Sequence, residues 1–325
     1  MWRPVGVVSL TAFVVAFAAA ILMTPVVRGI ARGAGLLDLP EERKVREVPV
    51  PRLGGFAIGA AFYLGMAIAL VVARLVGRRL GLESGHLPAI LVGVALIAGV
   101  GLMDDLQGMR ARVKLSAQLV IALVAYGLGL SIDRLDGPWG SVALGIWSLP
   151  VTVFWIVGVI NALNLIDGLD GLASGVALIG IAAFFAIALI HGSADPILPV
   201  LAAAAGGVLG FLRFNLPPSS IIMGDAGSML LGFLLAAVAI SLTQAGRIGM
   251  APWIPLLVLA LPLADTGRVI VRRLAAGHPV FLPDKRHVHH RLLARGLGQR
   301  QVTFVLWVVS ALFGLAAVWL AAATR

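Results

Sequence analysis

The sequence predicts an all-α fold, a polytopic transmembrane bundle of about ten helices, and three observations carry that prediction. Hydrophobic residues make up 60% of the 325 and charged residues only 12%, about half the charged share of a soluble domain. Apolar runs recur along the whole chain, so the mean hydropathy of +1.02 does not come from one anchor on a soluble domain. No run alternates with the period of two that a membrane β-barrel needs, which leaves helices as the way to satisfy backbone groups in lipid.

Ten runs are marked in order: 5–27, 53–73, 87–103, 115–132, 147–164, 172–191, 197–213, 228–243, 251–267 and 302–322. An eleventh span is allowed by their uncertain ends. The first run, of 23 residues, is longer than the ~7–15 of a signal-peptide core, so it is read as a first membrane helix. Gly206 and Gly210 form a GxxxG pattern inside a run, which points to close helix packing rather than a nucleotide loop. The whole chain is read as one integral membrane domain. Cysteine is absent, which excludes disulfides, a thiolate nucleophile and Cys-ligated zinc.

Ten spans sort the loops into two sets. One set, 28–52, 104–114, 165–171, 214–227 and 268–301, carries 18 of the 25 Lys and Arg with flanking arginines included. The positive-inside rule places that set in the cytoplasm and both termini outside, against the grain of Arg74, Arg78 and Arg79. Eleven of the 15 acids share that face, which the rule does not explain. A net charge of +10 on so apolar a chain suits anionic lipid or phosphorylated substrates; no basic-aromatic interleaving points to nucleic acid.

The polar clusters sit at span ends. Asp104 and Asp105 follow the third run; paired carboxylates suit a divalent cation or positioning of a nucleophile, and equally a solvated loop start. Asn161, Asn164, Asp167 and Asp170 recur at spacing three and form one polar stripe if helical geometry persists, with Gly168 and Gly171 giving the backbone freedom to approach a ligand or end the helix. Asp225, in Met-Gly-Asp-Ala-Gly-Ser, is either an N-cap or a hard oxygen ligand for Mg²⁺ beside phosphates. Around His287, His289 and His290 stand Lys285, Arg286, Arg291 and Arg295. Zinc is open to the histidines, but these cationic neighbours suit a diphosphate better. The loop from Asp38 to Gly55, with Arg43, Lys44, Arg46 and Arg52, serves either anionic lipid or substrate.

Taken together these clusters resemble the polyprenyl-phosphate N-acetylhexosamine-1-phosphate transferase family. The loop 38–55, Asp104-Asp105 with Lys114, the segment 161–173 and the segment 224–228 match in order, and the resemblance covers about residues 25–300. His287-x-His289-His290 looks like the WecA/TagO branch, which starts from UDP-GlcNAc; the related branch using UDP-MurNAc-pentapeptide has three successive histidines. The resemblance implies transfer of GlcNAc 1-phosphate from UDP-GlcNAc to a polyprenyl phosphate such as undecaprenyl phosphate, releasing UMP, as the first membrane step of a cell-envelope polysaccharide. It implies catalytic roles for Asp104, Asp105, Asp170 and His290, and Mg²⁺ (Mn²⁺ substituting) on Asp225 and Asp104. Substrate contacts fall to Lys44, Arg46, Arg52, Lys114, Asn164, Asp167, Arg286, His287 and His289. Arg46 departs from the family, which often has histidine there. A homodimer is left open.

Two other classes compete. A lipid transporter or flippase predicts ionisable residues within spans, and the middle of every marked run lacks one. A CDP-alcohol phosphotransferase predicts an Arg shortly after its first Asp-Gly and a later Asp-x₃-Asp, and Asp167-Gly-Leu-Asp-Gly-Leu-Ala has neither.

Overall fold

The computed structural model describes residues 2–38, 48–78, 80, 86–137, 140–192, 196–244, 251–277 and 287–324, with side chains from residue 5 onward. Lys44, Arg46 and Arg286 therefore lie outside the described residues. The architecture is helical, as the hydropathy predicts. Helix α1 (Trp2–Gly33) is followed by two short strands, β1 (Leu37–Asp38) and β2 (Val50–Pro51). Next come α2 (Gly54–Leu75), α3 (His86–Gln107) and α4 (Ala111–Gly127), and then a hairpin of β3 (Arg134–Gly137) and β4 (Gly140–Ala143). The chain continues through α5 (Ser148–Ile166), α6 (Leu172–Ile190), α7 (Ile197–Asn215) and α8 (Gly224–Gln244). It ends with α9 (Trp253–Val258), α10 (Ala260–Ala275), α11 (Val288–Leu293) and α12 (Gln299–Ala323).

Eight of these helices, α1, α2, α3, α5, α6, α7, α8 and α12, are long and apolar enough to cross a membrane. The other two marked runs meet different fates. Run 115–132 falls on α4, whose 17 residues reach only about 26 Å at 1.5 Å per residue, short of a ~30 Å hydrocarbon core. Run 251–267 is split at Leu259 into α9 and α10. Pro262 explains the break, because it lacks an N–H and its ring crowds the carbonyl four residues earlier, on Val258.

Helix α8 is the axis of the bundle. Every residue from Ala226 to Leu242 is buried, and α8 packs on α2, α3, α5 and α6. Glycines permit the close approach. A Cβ on Gly232 would fall 2.7 Å from the Cα of Ile160 in α5, one on Gly101 2.4 Å from the Cα of Ala226, and one on Gly55 2.0 Å from the amide of Gly227. Gly206 and Gly210 of α7 lie against the backbone of α1 in the same way, so that GxxxG is a packing surface.

At one end of the bundle the connections knit together. β1 and β2 pair antiparallel, Leu37 opposite Pro51. The amide of Ile222 donates to Pro51 O at 3.0 Å, and the amides of Gly54 and Gly55 donate to Ile222 O and Met223 O at 3.0 and 2.7 Å. The first loop is thereby stitched to the loop before α8. At the other end the β3–β4 hairpin is tied down by Gln244, which accepts from the amide of Asp133 and donates to Arg134 O, both at 3.0 Å.

Candidate active site

The site grows from the termini of α3, α4, α5 and α8, which meet at the knitted end. Asp104 and Asp105 are in the last turn of α3 and both are buried. They are not a solvated loop start. Asp105 turns towards α8, where its two oxygens accept the amides of Asp225 (2.9 Å) and Ala226 (3.1 Å). It thus caps α8 from another helix and satisfies donors that the helix leaves orphaned. Gly224, at φ +72°, makes this contact: a Cβ there would lie 2.6 Å from Asp105 Oδ2.

Because Asp105 supplies the cap, Asp225 does not act as its own helix's N-cap. Its carboxylate instead accepts from Asn164 Nδ2 at 2.6 Å and from Lys114 Nζ. Asn164 also donates to Ser228 Oγ at 2.8 Å. Lys114, in the first turn of α4, donates as well to Asp104 Oδ2 at 2.7 Å. The other oxygen of Asp104 accepts the amide of Met109. One ammonium therefore lies between carboxylates that the sequence separates by 121 positions, 104 to 225.

The polar stripe expected from Asn161 to Asp170 holds only in part. Helix α5 ends at Ile166 and Asp167 is its C-cap. A turn follows, closing on Gly171 at φ +73°, so helical spacing does not extend to Asp170. Asn161 lies one turn deeper and donates to Gln118 Oε1 at 2.6 Å. Asp170 is buried and grips the neighbouring loop, accepting from the amide and hydroxyl of Ser219 at 3.0 and 2.8 Å. Its backbone carbonyl accepts from Thr303 of α12.

These elements enclose a cavity of about 260 Å³. Its polar walls are Asp105, Asn164, Asp167, Asp225, Asp38, Arg52 and Gln299. Arg52 is held by Asp38 at 3.3 Å. Asp170 and Lys114 do not line the cavity. Asp170 holds Ser219 in the loop that carries the lining residue Ile222, and Lys114 donates to the lining residue Asp225. Hard oxygen donors dominate, and an ammonium already occupies the space between two of the carboxylates, so the position favours positive charge. Among the described residues no three acidic or histidine side chains form a ready-made metal cage. Mg²⁺ usually takes one or two carboxylates with phosphate and water oxygens completing its shell. The donor set fits that ion bound together with a phosphorylated substrate.

The histidines form a second layer. His287 and His289 stack with ring centroids 5.9 Å apart and planes within 7°, and His290 tilts onto His289 at 4.3 Å. His289 presses on the turn lining the cavity: a Cβ on Gly168 would fall 2.3 Å from its Nε2. Burial, then the neighbouring His290 and His287, pushes the His289 imidazole down to about 3, which keeps it neutral and unsuited to holding a phosphate by charge.

Sequence reasoning missed Ser219, Gln299 and Asp265. Ser219 carries no signal in a Pro-Pro-Ser-Ser stretch. Asp265 carried one, a carboxylate within an apolar run. It is buried and accepts from Val288 N at 2.8 Å and bonds His287 Nδ1 at 2.8 Å.

Fold and site define a multi-pass membrane enzyme whose polar, carboxylate-rich cavity opens at one end of an apolar bundle. Glycosyl transferase family 4 matches residues 87–243. The chain is 36% identical to the probable undecaprenyl-phosphate N-acetylglucosaminyl 1-phosphate transferase of Bacillus subtilis (strain 168), covering 96% of this chain and 85% of the relative. It is 36% identical to the decaprenyl-phosphate N-acetylglucosaminephosphotransferase of Mycobacterium tuberculosis (strain ATCC 25618 / H37Rv), over 97% and 82%. To the undecaprenyl-phosphate alpha-N-acetylglucosaminyl 1-phosphate transferase of Escherichia coli (strain K12) the identity is 28%, over 88% and 76%. This chain belongs to glycosyl transferase family 4 and is a membrane-embedded glycosyl phosphotransferase of that family.

Proposed function

We propose that the protein transfers N-acetylglucosamine 1-phosphate from UDP-GlcNAc to a polyprenyl phosphate, undecaprenyl phosphate or a near relative, giving polyprenyl-diphospho-GlcNAc and UMP. The observation that carries this reading is the cluster Asp104–Lys114–Asp225–Asn164 beside a carboxylate-lined cavity, at the end of a bundle whose outer surface is apolar. Relatives aligned over nearly the whole chain bear names for this reaction. A polyprenyl tail stays in lipid while its phosphate meets a water-soluble nucleotide, so a site at span ends suits both. The basic loops at that end favour a cytoplasmic site by the positive-inside rule.

In this reading the lipid phosphate oxygen attacks the β-phosphorus of the nucleotide sugar, forming the new P–O bond as the bond to UMP breaks. A phosphate monoester has a second pKa of about 6, so the nucleophile is already mostly dianionic at neutral pH and needs little help from a base. The dominant task is to offset several negative charges in line. Asp225, with Asp105 and Asp167 at the same cavity, would hold Mg²⁺, which when bound screens the diphosphate and stabilises charge on the leaving phosphate. Arg52 and Lys114 add cationic charge from two sides. Asp104 fixes Lys114 and, through it, the attacking phosphate. Asp105 sets the start of α8, and Asp170 sets the loop that floors the cavity.

The test incubates purified protein with labelled UDP-GlcNAc, polyprenyl phosphate and Mg²⁺ and scores UMP release across several UDP-N-acetylhexosamines. UMP release with UDP-GlcNAc preferred, absent in Asp225→Ala and Asp104→Ala, supports the reading. Preference for another donor moves the substrate within the class, and lipid movement without UMP release rejects it for a flippase. A trapped aspartyl-phosphate with ping-pong kinetics rejects direct transfer.

A further inference from the structure

Asp265 belongs to α10, outside the carboxylate cluster and the cavity. Its side chain is only 4% exposed, in a helix whose neighbours Leu261, Pro262 and Val269 are buried apolar residues. Burying a carboxylate there is costly unless both oxygens find donors. Both do: Oδ1 accepts the amide of Val288, the first residue of α11, and Oδ2 meets His287 Nδ1, each at 2.8 Å. A cap on one amide needs only one neutral oxygen, which Asn or Ser would supply. The second oxygen therefore has a separate task, and its partner identifies it. A carboxylate accepts only, so His287 must carry its proton on Nδ1, leaving Nε2 as the nitrogen presented elsewhere.

We propose that Asp265 is a positioning residue for the reaction, fixing the ring and tautomer of His287 and, through the His287–His289 stack, seating α11 against the Asp167–Gly168 turn of the cavity. The link to the cavity is direct at its far end, since His289 leaves no room for a Cβ on Gly168. Its Nδ1 has no hydrogen-bond partner among the described residues, so stacking, not hydrogen bonding at that nitrogen, holds this ring to its neighbour. A loosened His287 would release the stack and with it one wall of the site. The inference rests on the proposed transfer for what the cavity does, but not for the Asp265–His287 bond itself.

Asp265→Asn separates the two tasks. Its carbonyl oxygen can still accept from Val288, but its NH₂ opposes a protonated Nδ1 and drives the proton to Nε2. The full chain is labelled with ¹⁵N-histidine in nanodiscs. It has six histidines, and His287 is assigned by its loss in His287→Gln. The expected result is an Nδ1-protonated His287 in the parent and an Nε2-protonated or mixed ring in D265N. UMP release should fall on the order of tenfold in kcat, the scale seen for carboxylates that orient functional imidazoles, with KM for polyprenyl phosphate unchanged. In the His287→Gln background D265N should cost nothing further. Unchanged tautomer and kcat in D265N, or losses that multiply in the double variant, would overturn the proposal and leave Asp265 as a helix cap. If the parent releases no UMP from any donor, the transfer reading fails while the tautomer comparison still decides this one.

Discussion

Lys114 has a side chain only 15% exposed, and its ammonium serves Asp104 and Asp225 at once. Lys114→Met leaves those carboxylates facing each other with nothing between them. Removing one partner of a buried pair costs about 3 kcal/mol, because the remaining charge is stranded; the 34% exposure of Asp225 reduces this towards about 2 kcal/mol. Adding Asp104→Asn removes one of the stranded charges, so the double variant should unfold later than K114M by about 1 kcal/mol. Thermal unfolding in detergent checks the order of the three proteins, and a double variant less stable than K114M would refute the account. His289 gives a second test through pH. An unfolded histidine titrates near 6.5 and this one near 3, so between those values the unfolded chain binds the extra proton. The contribution is complete above about 6.5 and is lost as pH falls towards 3, about 2 kcal/mol of it by pH 5. The unfolding midpoint should therefore drop between pH 6.5 and 5, and drop less in His289→Asn; equal slopes would show that His289 is not the group responsible.

The helices were legible because each long apolar run is its own signal, independent of its neighbours. What the runs could not reveal was rank. Helix α8 is no more apolar by composition than α2 or α6, yet among the described spans it alone is buried without a break through its middle, from Ala226 to Leu242, since centrality depends on which glycines face which helices. Gly232 is the case at the α5–α8 contact, where the backbone of Ile160 fills the space a side chain would need. Gly232→Leu should force α5 and α8 apart, costing about 3 kcal/mol by overpacking. The same displacement pulls Asn164 from Asp225, 2.6 Å across that interface. UMP release per folded molecule should consequently fall more than tenfold, which is more than about 1.4 kcal/mol of barrier, and comparison with folded fraction by gel filtration separates the two effects. The carboxylate cluster was legible for a related reason: in a chain with 15 acids, those at span ends stand out. Asp105's partner was not, because capping a helix 120 positions away leaves no local pattern. Nor was the turn of Asp170 towards Ser219, which follows from where α5 stops.

At the scale of the whole molecule, loop charge and site geometry bear on one question, the side of the membrane on which the cavity opens. The connections bearing 18 of 25 basic residues include those that build the cavity, and the β3–β4 hairpin lies at the opposite end. Positive-inside then predicts a cavity facing the cytoplasm and a hairpin on the far side. The absence of cysteine makes this directly measurable, since any introduced thiol is the only one present. Val48, 67% exposed beside β2, and Val142, 48% exposed in β4, report the two ends without touching the site. In sealed right-side-out vesicles a membrane-impermeant maleimide should label Val142→Cys and spare Val48→Cys, and in inverted vesicles the pattern should reverse. Labelling of Val48→Cys from outside would put the cavity on the side where nucleotide sugars are scarce. It would also remove the reason for a basic, phosphate-binding face there, whereas reciprocal labelling ties the charge asymmetry to the one end of the bundle where Asp104, Lys114 and Asp225 meet.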